Sequence, residues 1–187
     1  MTGHHGNRHG RSEHARQAVL HAADDLLVEK GFAGVTIEGI AARAGVAKQT
    51  IYRWWNSKTD ILLDTFTEDA AQHLAAAEHE DVRTYLRQLA DFLTNTDAGA
   101  VLRALIGQAQ HDPDLAATFR ARFLDDQRTR DRKVLGRELP AGVDLEVAVD
   151  ELVGPIYYRV LVTGQPVDGP FIDALVDRFT TARRCEP

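Results

Sequence analysis

The chain has one cysteine and two serines among its 187 residues. Nowhere does an apolar run approach the ~20 residues that a membrane-spanning helix needs. Cys185, almost at the C-terminus, has no partner for an internal disulfide, which fits a reducing compartment. No secretory signal pattern opens the sequence, so a cytoplasmic protein without membrane contact is expected. Catalytic equipment is also scarce. Ser12 and Ser57 both sit where helix caps are expected, no glycine-rich phosphate loop is present, and no His-x-x-x-His pair falls on an expected helix. The adjacent pairs Asp24-Asp25 and Asp125-Asp126 point apart on a helix and read as solvated surface. An enzyme is therefore not expected, nor is a cofactor or a metal site.

What is present is unevenly charged. The net charge is −6, yet residues 1–58 hold eight Lys and Arg against five Asp and Glu, a net of +3, leaving −9 for the rest. A basic front on an acidic body suits a polyanionic partner for the front alone. The rival is a helical adaptor that binds protein through its acidic body.

Helical periodicity runs through the chain, and strand signals are nearly absent. Residues 1–11 are polar, with His4, His5 and His9, and read as a disordered tail without the fixed spacing of a metal site; Arg8 and Arg11 could touch phosphates. Ser12 is placed to cap a helix that buries Val19, Ala23, Leu26 and Leu27 and stops at Gly31. Thr36 caps a short second helix with Ile37, Ile40, Ala41 and Ala44 inward, ended by Gly45. A third helix runs from Ala47 to Trp54 or Trp55. Ser57, with Asp60 three residues on, then opens a long fourth helix to about residue 79.

Two short helices around a glycine turn are the geometry of a helix-turn-helix. At about 100° per residue, with Lys48 at zero, Tyr52 falls near 40°, Gln49 near 100° and Arg53 near 140°. Thr50, Ile51, Trp54 and Trp55 occupy the opposite arc. One face donates hydrogen bonds and the other is built for burial. Trp55 is expected in the core, while Trp54 is placed either to pack there or to lean on a DNA backbone.

The run "TIEGIAARAGVAKQTIYRWWNSKTDIL", Thr36 to Leu62, resembles the TetR (tetracycline-repressor) family of bacterial transcription regulators, and "GPIYYRVLVTG", Gly154 to Gly164, is similar to a segment near that family's C-terminus. The departures are Gln49, where a small residue is usual, and Trp54, where His or Tyr is usual. The resemblance implies an all-α fold, with a three-helix helix-turn-helix DNA-binding domain over 12–56 followed by a ligand-binding and dimerisation domain over 57–187. It implies base contacts from Lys48 and Gln49 in the major groove of double-stranded operator DNA, and phosphate contacts from Thr36, Thr50, Tyr52 and Lys58. Arg53 is placed for base, phosphate or solvent.

Amphipathic segments in the body cover 82–94, 98–111, 114–138, 145–163 and 170–184, and Pro155 should bend the fourth of these. The resemblance implies a homodimer through the last two helices, for which Leu152, Ile156, Val160, Leu175 and Phe179 are the expected interface. Phe92, Leu105, Phe119, Phe123 and Tyr157 are the expected lining of a site for a small, largely apolar ligand. A ligand-responsive repressor on a palindromic operator is the expected function, with an activator lacking an inducer as the alternative.

Overall fold

The structure is a computed structural model that describes residues 6–74, 80–139 and 142–184, with backbone alone for 6–11 and 181–184. The described residues form helices without strands: α1 (Gly6–Gly34), α2 (Ile37–Ala44), α3 (Lys48–Tyr52), α4 (Lys58–Leu74), α5 (Val82–Asn95), α6 (Ala98–Ala109), α7 (Pro113–Phe119), α8 (Asp125–Glu138), α9 (Leu145–Tyr158) and α10 (Gly169–Arg184). Single π-helical turns, Arg120–Leu124 and Arg159–Thr163, follow α7 and α9. None of these helices is long and apolar enough to cross a membrane.

Contacts divide the chain into two compact units, the first comprising residues 1–68 with 100–107 and the second 69–99 with 108–187. The first unit thus takes in most of α4 and the middle of α6. Helix α1 begins at Gly6, six residues before the cap expected at Ser12. Gln17 Nε2 donates to Glu68 Oε2 at 3.1 Å and Arg16 pairs with Glu68, so the helix is pinned and its polar N-terminal turns extend an existing nucleus. Residues 1–5 of the expected tail, with His4 and His5, lie outside the described residues, as do the side chains of Arg8, His9 and Arg11.

Gly31, the expected stop of the first helix, has φ 66° and kinks α1 there. That left-handed backbone conformation is one that a glycine adopts at little cost. The inward stripe of α1 is Val19, Leu20, Ala23, Leu26 and Leu27, and α2 packs on this helix through Ile40. In the second unit, α5 buries Tyr85, Leu86, Leu89, Phe92 and Leu93 and lies against α8 and α10. Arg83 bridges α5 to α10 by pairing with Asp173 at 2.8 Å and Asp177 at 2.6 Å. Helix α8 is tied to α9 by Arg128, paired with Asp150 at 2.8 Å and Glu146 at 2.5 Å.

Candidate nucleic-acid interface and cavity of the second unit

The order Thr36, Gly45, Ser57 and Asp60 sets the local geometry of the helix-turn-helix. Thr36 is the N-cap of α2, its Oγ1 accepting from the Gly39 amide at 3.0 Å. Gly45 closes α2 with φ 66°, and its amide donates to the Ala41 carbonyl. The Val46 amide also donates to that carbonyl, at 3.1 Å. Ala41, 6% exposed, and the fully buried Ile40 and Ile51 fill the space between α2 and α3. Helix α3 is shorter than the sequence suggests, ending at Tyr52. The Trp54 and Trp55 amides both donate to the Ile51 carbonyl, at 2.9 and 3.0 Å, which closes the helix. Asp60 Oδ2 accepts from the amides of Asn56 and Ser57, while Ser57 Oγ accepts from the Asp60 amide at 3.1 Å. This reciprocal cap starts a new helix and pulls the chain out of α3.

The two faces of α3 separate as the helical wheel predicts. Lys48, Gln49, Tyr52 and Arg53 are exposed, Thr50 and Trp54 are half-buried, and Ile51 and Trp55 are buried. Tyr52 keeps 53% of its surface exposed, a large aromatic outward beside two cations. Gln49 has no hydrogen-bond partner among the described residues. Lys48 Nζ lies 2.9 Å from Glu38 Oε1 of α2, an exposed pair that holds the lysine's pKa up and the carboxylate's down. The Arg53 guanidinium stands 4.7 Å from the centre of the Trp54 ring, and Trp54 meets Trp55 edge to face at 5.5 Å.

Lys58 has an inward role that the sequence did not reveal. Its ammonium donates to the carbonyls of Phe32 at 2.7 Å and Val35 at 3.0 Å, and sits 4.0 Å from the centre of the Phe32 ring. It closes the junction between α1 and α2, burial pushes its pKa down, and one N–H of three is left for a phosphate. Thr36 is exposed and its hydroxyl keeps a proton to donate.

The expected body residues are redistributed. Phe92, Phe119 and Phe123 are buried core residues of the second unit, and Leu105 is buried in the first. Phe119 and Phe123 pack on each other at 5.4 Å. Of the five expected lining residues only Tyr157 borders a described cavity, of about 170 Å³, between α8 and α9. That cavity's polar lining includes Gln127 and Asp131, 2% and 1% exposed, which sequence reasoning passed over. Their spacing of four, continued by Val134 and Leu135, places them on the inward face of α8 and is the signal that would have found them.

The expected dimer residues differ in exposure. Leu152 and Ile156 are 1% and 0% exposed within the protomer. Val160 and Phe179 keep 8%, and Leu175 is half-buried. The large apolar side chains exposed from α9 onward are Val147, Tyr158 and Val162.

A capped helix-turn-helix that presents a cationic and amide-bearing face, on an otherwise acidic all-helical chain, defines a DNA-binding regulator. Residues 19–65 match "Bacterial regulatory proteins, tetR family" and residues 78–179 match "Tetracyclin repressor-like, C-terminal domain". The HTH-type transcriptional regulator YdeS of Bacillus subtilis is 39% identical over 175 residues, covering 89% of this chain and 88% of that protein. A DNA-binding transcriptional repressor TetR of Mycobacteroides abscessus is 27% identical, covering 89% and 92%. The crystal structure of the TetR family regulator SCO0332 superposes with a TM-score of 0.72 at 36% identity, covering 88% and 96%. The chain belongs to the TetR family, and it is a DNA-binding transcriptional regulator.

Proposed function

We propose that the chain is a repressor that binds a palindromic operator as a homodimer and lets go of it when a small molecule occupies the second unit, in the cytoplasm. The observation that carries the DNA-reading part is the division of α3. Buried Ile51 and Trp55 fix the helix, while Lys48, Gln49, Tyr52 and Arg53 face outward with donors suited to base edges and phosphates. In this reading Lys48 and Gln49 meet bases. Thr36, Thr50, Tyr52 and the remaining Lys58 proton meet phosphates, and Arg53, steadied over Trp54, reaches either.

Symmetry follows from a two-fold pair of readers, because equal half-sites give a palindrome. The surface we assign to the second copy is the outward line Val147, Tyr158 and Val162, with half-buried Leu175 of α10. Val147 and Tyr158, eleven apart, recur on one face of α9 at about 100° per residue, and Val162 lies in the π-helical turn that follows. A ligand that prefers one spacing of the readers lowers DNA affinity, and DNA lowers ligand affinity by the same factor. Helix α4, unbroken from Lys58 to Leu74, has residues in both units and is the element we assign to that coupling. The test is gel-shift titration of the purified chain on DNA recovered from a random pool. The expected result is one tight complex containing two chains, and binding that is equally tight for all sequences would refute the reading.

A further inference from the structure

The α8–α9 cavity contains a carboxylate without a counter-ion. Asp131 Oδ1 accepts from the Tyr85 hydroxyl at 2.5 Å and from Gln127 Nε2 at 2.9 Å. Gln127 Nε2 also donates to the Tyr85 hydroxyl at 2.8 Å, and its Oε1 is occupied by Arg130. Every polar atom of Gln127 is therefore spent within the chain. No described cation makes an ion pair with Asp131. Of the nearby arginines, Arg128 is committed to Glu146 and Asp150, and Arg130 to Gln127.

A second polar group in the same cavity is unsatisfied. The Tyr157 hydroxyl is buried and has no hydrogen-bond partner among the described residues. It lies near enough to Asp131 that the carboxylate charge adds to burial in raising the phenol's pKa. An unmet buried hydroxyl costs about 1–3 kcal/mol, and an unpaired buried carboxylate costs more. Both are costs that a complementary guest would remove. The remaining walls are apolar, from Leu124, Val149 and Val153, with Gly154 adding no side chain.

We propose that this cavity binds a small organic cation, a protonated amine on one apolar ring or short branched chain, with Asp131 as its counter-ion and the Tyr157 oxygen as a hydrogen-bond acceptor. The proposal rests on the reading of the chain as a ligand-responsive regulator and supplies the class of its ligand. Size sets the scale, since cavities of roughly 150 Å³ accept a benzene-sized guest. Charge sets the sign. Arg128, Asp131 and Asp150 give the lining a net charge of −1, and an anion would meet two carboxylates and an arginine already paired with both Glu146 and Asp150. Water held between Asp131 and Tyr157 is the occupant that an amine displaces.

The experiment is calorimetric titration of the full chain with benzylamine, cyclohexylamine and isoamylamine, against benzyl alcohol and benzoate as neutral and anionic counterparts of benzylamine. At least one amine should bind tenfold or more tightly than either counterpart. Asp131→Asn, which keeps an oxygen for Tyr85 and Gln127, should remove that preference. Tyr157→Phe deletes a hydroxyl with no partner, so it should leave the fold intact and weaken amine binding several-fold. The proposal is overturned if no amine binds at millimolar concentration, if benzoate or benzyl alcohol binds as well, or if a folded Asp131→Asn chain binds amines unchanged. DNA binding by the ligand-free chain is measured separately. A chain that selects DNA but takes no amine contradicts this inference alone, whereas one that takes amines but no DNA contradicts the regulator reading.

Discussion

Trp55 Nε1 donates to Asp64 Oδ2 at 2.8 Å, fastening the segment that leaves the reader helix to the second turn of α4. Arg16 of α1 joins them, 3.6 Å from the same carboxylate oxygen and 5.9 Å from the centre of the Trp55 ring. Two helices of the first unit and the segment after α3 thus meet at one indole. Trp55→Phe keeps most of the buried ring and removes one of the donors to the Asp64 carboxylate. We expect a loss of about 1–3 kcal/mol in urea unfolding. A Trp55→Phe, Asp64→Ala double variant should be less destabilised than the sum of the two single changes.

The Lys48–Glu38 pair places an anion beside the lysine we assign to the groove. Removing that anion lowers repulsion from DNA phosphates and also frees Lys48 from its fixed position. Glu38→Gln should therefore bind random DNA several-fold more tightly while discriminating less between selected and random sequence. Titrations at two salt concentrations check both effects.

Assembly separates two valines that lie two residues apart, about half a helical turn. Val160 is 8% exposed and Val162 is 68% exposed. Val162→Asp should give folded monomers at micromolar concentration, because only the proposed partner surface receives the charge. Val160→Asp should unfold the second unit, since it buries an unpaired carboxylate. Light scattering alongside circular dichroism distinguishes the outcomes, and a folded Val162→Asp dimer would move the interface elsewhere.

Asp131 gives a pH signature. Burial raises its pKa above the ordinary aspartate range, against the lowering effects of Tyr85, Gln127, Arg130 and Arg128. The ligand-free fold therefore holds this proton more tightly than the unfolded chain does. Its stabilising contribution is complete below the unfolded pKa and is lost as pH rises through the folded one. Melting temperatures of wild type and Asp131→Asn, compared across that interval, should shift in favour of the variant as pH increases. A constant difference would mean that Asp131 does not titrate differently in the fold. From α9, Asp150 and Tyr157 also face this group, and their single substitutions identify any share they take.

The parts of the fold legible in the sequence are those decided by neighbouring residues. Thr36, Gly45 and the Ser57–Asp60 pair announce their caps because cap chemistry acts over three or four positions. The faces of α3 follow from periodicity alone. Lys58 was harder to read, since its partners are carbonyls of Phe32 and Val35, 26 and 23 residues earlier. Gln127 and Asp131 were hidden by the charged residues around them on α8, most of which do face solvent. Leu152 and Ile156 were recognisable as apolar but not as core, because a stripe that faces its own protomer has the same period as one that faces a partner.

Selection of bound sequences from a random double-stranded DNA pool tests the central claim most directly, with wild type, Lys48→Ala and Gln49→Ala run in parallel. The account predicts an inverted repeat for wild type, with each variant relaxing preference at one or two positions per half-site, a loss of about 1–3 kcal/mol per contact. A pool that shows no enriched sequence, or the same enriched sequence for all three proteins, would contradict it.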